Sequence, residues 1–308
     1  MRELRYAVID AFASAPFTGN AAAVVFEADG LGDSEMRAIA GEFNLSETTF
    51  ILRPDAPDGD VRFRWFTPAV EVTMCGHATL AGVHALVESG RLDSSHGPTA
   101  ALRIETLGGM LLAGVEPVSP YSGAPGRLIW LDLVPPRLTP REFNTDKVAA
   151  LLRADTGIWE PARPAVVSQD GDLIILVRDF QTLNGLRPDF EGIADWCTRQ
   201  GLRGILVSTT KTLSASIDAQ SRFFAPAAGV DEDPVTGSAH APLAAYLVAH
   251  GLVNTEDDGS ATLRCAQAKA GGRAGLLFAS VTPRAGEGYN VRIAGKCFTT
   301  MRGTLLVG

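Results

Sequence analysis

Hydrophobic and polar positions alternate with short range along the first third of the chain, so strands dominate the reading. Residues 6–11 form an apolar run typical of a strand, Gly19-Asn20 marks a turn, and residues 21–26 return as a second apolar run. Met36, Ile39, Ala40 and Phe43 recur at helical spacing over Asp33–Phe43, with Asp33 or Ser34 placed as the N-cap. Residues 46–51 and Val61–Phe66 read as strands, the latter alternating apolar with basic side chains. From Gly76 to Glu88 the sequence is apolar on almost every face, which predicts a helix enclosed by sheet, with Gly90 as its stop.

The same plan returns downstream. Residues 173–177 and 204–208 read as strands and 190–198 as a helix, while 238–249 repeat the all-apolar helix and stop at Gly251. Residues 275–280 and 290–293 are further strands. The junctions before the two apolar helices nearly match: "RWFTPAVEVTM" leads into "CGHATLAG" from Cys75, and "RFFAPAAGVDEDPV" leads into "TGSAHAPL" from Thr236. A repeat of about 160 residues is a domain duplication rather than a solenoid. The expected fold is therefore α+β, two pseudo-symmetric domains that each wrap a curved mixed sheet round a central apolar helix. The lobes are expected at 1–117 and 127–308, joined by a Pro-, Ser- and Gly-rich linker at 118–126, with the last strand packing back on the N-terminal lobe.

Composition narrows the function classes. A net charge of −8 argues against nucleic acid as partner, because phosphate binding needs a basic face. No run of about 18 apolar residues predicts a membrane span. The N-terminus lacks the apolar core of a secretory signal, and the four cysteines are scattered without a C-x-x-C pair. They read as reduced thiols in a cytoplasmic protein.

The candidate chemistry gathers at the helix starts. Gly76 and Gly237 sit where strand gives way to helix, so unpaired N–H groups and the helix dipole favour a carboxylate or an enolate-like oxygen there. A tight turn is the plain alternative for either glycine alone. Glu47, in "NLSETTF", lies at a helix–strand junction: a carboxylate in an apolar cleft can take and return a proton, whereas one in solvent is merely hydrated. His77 follows Gly76, where the dipole favours a neutral ring that donates or accepts; a satisfied core histidine is its alternative. His84 is expected to pack internally, His96 and His250 to lie in a loop or at a helix end, and no metal site is expected from His77 with His84. Asp233, held extended by Pro234, is expected to point inward, and Asp231 and Glu232 to be solvated. Cys75 at the helix start could act as a thiol base, but its counterpart Thr236 cannot complete a two-thiol pair.

With "VIDAFASAPFTGNAAAVV" (8–25), "NLSETTF" (44–50), "CGHATLAG" (75–82) and "EDPVTGSAH" (232–240) in this order, the chain resembles the PhzF-like isomerases of phenazine biosynthesis, within the diaminopimelate-epimerase-like fold. A weaker "GGRAG" (271–275) extends the resemblance over essentially the whole chain. The resemblance implies an active site between two similar domains, usually in a homodimer, with no metal or organic cofactor. It implies that Glu47 shuttles a proton between two carbons of a small carboxylate metabolite, as in isomerisation of a dihydro-hydroxyanthranilate. His77, Asp233 and Ser238 would orient the substrate or assist the proton, Gly76 and Gly237 would supply N–H groups, and Asn20 and Cys75 would join them around the substrate. An epimerase or hydroxyproline-type dehydratase using Cys75, and a non-catalytic metabolite-binding protein, stay open beside it.

Overall fold

The structure is a computed structural model that describes residues 1–92, 101–116, 127–160, 163–268 and 271–308. The chain divides into two compact units, 1–132 with 294–308, and 133–293. The linker expected at 118–126 lies outside the described residues, as does His96. Among the described residues no helix is long and apolar enough to cross a membrane.

The first unit opens with β1 (Arg2–Ala11) and β2 (Asn20–Val25), paired antiparallel. Helix α1 (Asp33–Phe43) leads to β3 (Thr48–Leu52), parallel to β2, and β4 (Val61–Phe66) runs antiparallel to β3. The short β5 (Glu71–Val72) folds back on the end of β4 and delivers the chain to α2 (Gly76–Glu88). Then β6 (Leu102–Thr106) runs parallel to β4, and β7 (Gly109–Glu116) and β8 (Leu128–Leu133) add antiparallel. Because β8 pairs with β7, the first unit continues past the expected linker.

Two packing layers follow from side-chain periodicity. Met36, Ile39 and Ala40 of α1 bury against Leu4, Val25, Phe50 and Phe66 on one face of the sheet. On the other, α2 packs against β1, β2, β3, β4 and β7. Ten of its residues are buried, and none of the ten is Asp, Glu, Lys or Arg, as burial on almost every face requires. Gly82 makes this approach possible: a Cβ there would stand 2.6 Å from the Phe63 ring. The N-cap of α1 is Gly32 rather than Asp33 or Ser34. The Glu35 carboxylate accepts the Gly32 N–H at 2.8 Å, while Asp33 instead accepts from Arg64 Nη2 at 2.8 Å.

The second unit contains β9 (Leu138–Pro140), α3 (Thr145–Leu151), β10 (Val166–Ser168), β11 (Asp172–Leu176), α4 (Phe180–Gly185) and α5 (Phe190–Gln200). There follow β12 (Gly204–Thr209), β13 (Ala219–Ala225), β14 (Val230–Asp233), α6 (Gly237–Ala249), β15 (Ala261–Ala268), β16 (Ala274–Pro283) and β17 (Tyr289–Gly295). Val148, Leu151, Ile193 and Trp196 from the outer helices bury with Leu173, Ile175, Val207 and Phe224. Helix α6 packs against β15 and β16 and buries eleven residues. The chain ends with β18 (Cys297–Val307), antiparallel to β1 in the first unit.

Strand pairing repeats between the units. The pairs β1–β2, β2–β3, β3–β4, β4–β6 and β6–β7 run antiparallel, parallel, antiparallel, parallel and antiparallel. In the same sense run β10–β11, β11–β12, β12–β13, β13–β15 and β15–β16. Side chains repeat with them. Arg64 forks onto Glu71 at 2.7 and 2.6 Å and lies 5.1 Å over the Phe66 ring. Arg222 forks onto Glu232 at 2.7 and 3.1 Å and lies 5.0 Å over Phe224. The expectation of a solvated Glu232 is thereby corrected: it is buried, and the neutralising guanidinium makes that burial tolerable.

Candidate active site

At the start of α2, Cys75 is the N-cap in extended conformation and Gly76 the first helical residue. No cap side chain closes the helix end, so its first N–H groups are available to an anion. Thr79 Oγ1 donates to the Cys75 carbonyl at 2.5 Å, which fixes the peptide that carries the Gly76 N–H. His77 is buried and has four polar neighbours. Asn20 Nδ2 lies 3.4 Å and Cys75 Sγ 3.5 Å from Nδ1; Ser46 Oγ and Glu47 Oε2 each lie 3.3 Å from Nε2. With the amide nitrogen of Asn20 turned to Nδ1, that ring nitrogen accepts, and the proton sits on Nε2 facing Ser46 and Glu47. Glu47 Oε2 is buried, yet no hydrogen bond within the chain satisfies it. The sequence-derived candidates Asn20, Glu47, Cys75, Gly76 and His77 thus form one cluster.

Glu47, Cys75 and His77 also offer potential metal-ligand atoms that all lie within 4.8 Å of one another. Their nearest approaches are Sγ to Nδ1 at 3.5 Å and Oε2 to Nε2 at 3.3 Å.

At the start of α6, Thr236 is the N-cap and Gly237 the first helical residue, again without a side-chain cap bond. Thr236 Oγ1 donates to Asp233 Oδ2 at 2.5 Å. His240 Nδ1 donates to the Thr236 carbonyl at 2.8 Å, the position Thr79 fills in the first unit. Burial lowers the pKa of His240 to about 4, only partly opposed by that bond, so its ring is neutral and its Nε2 has no partner. Asp233, Gly237 and Ser238 therefore gather at one helix tip.

Sequence reasoning missed two residues here. Arg203 Nη2 donates to Ser238 Oγ at 3.2 Å, and the same guanidinium forks onto the fully buried Asp172 at 2.7 and 2.5 Å. Burial opposes the Arg203 cation, but the Asp172 bonds outweigh it and hold its pKa above the ordinary value. Gln267, also fully buried, bonds to both Asp233 and Thr236. Both lie about 30 residues from their partners, beyond any local motif; the one signal was a polar residue amid the apolar alternation of β15. His84 packs internally with Nε2 3.4 Å from Glu88 Oε1, and burial lowers its pKa despite that carboxylate.

Residues 9–303 match the family described as phenazine biosynthesis-like proteins. The chain belongs to the PhzF family. Within it, the chain is 38% identical over 305 residues to an uncharacterised isomerase of Pseudomonas aeruginosa, covering 98% of this chain and 99% of the relative. It is 32% identical over 304 residues to the trans-2,3-dihydro-3-hydroxyanthranilate isomerase of Pseudomonas fluorescens, with the same coverage of 98% and 99%. A solved PhzF-family phenazine biosynthesis protein from Bacillus anthracis superposes with a TM-score of 0.87 at 26% identity, over 100% of both chains. The fold is the expected diaminopimelate-epimerase-like α+β fold.

Proposed function

We propose that this PhzF-family protein is a cofactor-independent isomerase that moves a proton between carbons of a small carboxylate metabolite, with Glu47 as the base. The observation that carries this reading is the buried, unsatisfied Glu47 Oε2 set 3.3 Å from His77 Nε2. A carboxylate without an internal hydrogen bond keeps a lone pair for a substrate C–H, and the neighbouring Nε2–H can steady the charge as the proton leaves and returns. Removal of a proton next to a carboxylate builds negative charge on oxygen, which uncapped N–H groups such as those of Gly76 or Gly237 stabilise. Asp233 and Ser238 orient the substrate in this reading, and Asn20 and Cys75 support His77. The named activity of the Pseudomonas fluorescens relative makes trans-2,3-dihydro-3-hydroxyanthranilate the first compound to test. The expected homodimer belongs to this proposal.

The contact of Cys75 Sγ with His77 Nδ1 supports a second reading, in which the thiol is the base of an epimerase or dehydratase. The test follows deuterium uptake from D2O into trans-2,3-dihydro-3-hydroxyanthranilate and a panel of small carboxylic acids. Glu47→Gln should abolish uptake and Cys75→Ala should retain it. The reverse pattern would establish the thiol reading, and no uptake in any wild-type reaction would favour a binding role.

A further inference from the structure

The turn into α6 is held by a side chain 31 residues away. Gln267, on β15, accepts the Thr236 N–H through Oε1 at 3.0 Å. Its Nε2 donates to the Asp233 carbonyl at 2.7 Å and to Thr236 Oγ1 at 3.1 Å. These partners leave one orientation for the amide, because only its NH2 end can serve a carbonyl and only its oxygen can serve an N–H. The hydroxyl of Thr236 then has one lone pair engaged by Gln267, and its single proton points to Asp233 Oδ2 at 2.5 Å. Donor and acceptor roles are thus fixed in sequence from Gln267 through Thr236 to Asp233.

We propose that Gln267 and Thr236 are positioning residues that set the rotamer of the Asp233 carboxylate and favour its ionised form. This rests on the reading of Asp233 as a group that handles substrate. An O–H···O⁻ bond is charge-assisted and stabilises the anion over the acid. Gln267 strengthens it by polarising the hydroxyl and by preventing the hydroxyl proton from rotating away. Arg203, just before β12, is a charged group that faces Asp233 and is itself shared with Asp172 and Asp170. On the Asp233 strand, Glu232 is taken up by Arg222 and Asp231 is exposed. The geometry of the turn therefore does not depend on Arg203 alone, and the Thr236 bond is the part that a mutation can remove cleanly.

The experiment is a 13C NMR titration of the Asp233 carboxyl carbon, assigned with Asp233→Asn, in the full-length protein. Thr236→Val keeps the shape and removes the hydroxyl; its Asp233 midpoint should rise by about one pH unit, a tenfold change in protonation equilibrium. Thr236→Ser should return the midpoint to the wild-type value. Gln267→Met leaves the hydroxyl free to turn and should raise the midpoint by a smaller amount. Thr236→Val and Gln267→Met both titrating with the wild type would overturn the relay. The two variants act on different side chains, so one that fails to fold leaves the other decisive. A shifted midpoint in Thr236→Val with unchanged deuterium uptake in Asp233→Asn would keep the relay and remove Asp233 from the reaction, which separates the two ideas.

Discussion

Glu47 Oε2 and His77 Nε2 approach to 3.3 Å, yet the carboxylate oxygen is not satisfied by a hydrogen bond. A structural ion pair would align its donor and acceptor, since an unmade bond at a buried site costs about 1–3 kcal/mol. An oxygen left in this state can gain a partner when a substrate arrives. Glu47→Gln should therefore keep or slightly raise stability while lowering turnover by roughly three orders of magnitude or more. Urea unfolding and the deuterium assay on the same preparation check both halves, and retained turnover would remove Glu47 from the chemistry.

Asn20 controls the proton on His77. Its amide donor at Nδ1 leaves the ring proton on Nε2, beside Glu47. Asn20→Asp puts an acceptor at that place and draws the proton to Nδ1. The expected outcome is a loss of about 10²-fold in turnover with the fold intact, and 15N spectra of the His77 ring should show the switched tautomer. An unchanged tautomer would refute the assignment.

The duplicated strands and buried helices were legible because periodicity and the repeated junctions are local signals. Asp33–Phe43 and Gly76–Glu88 match the elements read from spacing alone. The cap of α1 was not, since Asp33 is claimed by Arg64 from a strand 31 residues on. Glu232 looked like part of a solvated acidic turn for the same reason: its partner Arg222 sits on the adjacent strand, ten residues earlier. Glu47, His77 and Asp233 could be singled out by residue type at a junction, while Arg203 reaches Ser238, and Gln267 reaches Asp233 and Thr236, only through tertiary contact.

The two Arg–Glu forks should differ in energetic weight. Arg222 and Glu232 have side chains only 6% and 3% exposed, whereas Arg64 and Glu71 are 14% and 18% exposed. Arg222→Met leaves a carboxylate stranded in the core and should cost about 3–5 kcal/mol. Water can reach Glu71, so Arg64→Met should cost less. Urea midpoints measured at neutral pH give the comparison, and equal losses would contradict the difference in burial.

Gly82 packs directly on Phe63, and the shared volume admits no methyl group. Gly82→Ala should lose about 1–3 kcal/mol through overpacking even though alanine favours helix. Pairing it with Phe63→Leu should recover part of the loss, because the leucine frees ring volume at the point of contact. A stabilising Gly82→Ala would show that α2 can shift within its sheet.

His240 gives the fold a specific pH dependence. Its pKa falls from 6.5 to about 4 on folding, chiefly through burial. Above pH 6.5 the ring is neutral in both states and contributes nothing to the difference. As pH falls through 6.5 the unfolded chain takes up a proton that the folded chain refuses, so stability declines until about pH 4, where the folded ring also titrates. A separation of this size corresponds to about 3 kcal/mol. Replacing the ring with an uncharged side chain removes that proton uptake from the unfolded state, so His240→Gln should lower stability at pH 7, through the altered bond to Thr236, yet flatten its decline between pH 6.5 and 4. Unfolding free energies across this range decide it: a slope equal to that of the wild type would mean that His240 is not the group that refuses the proton.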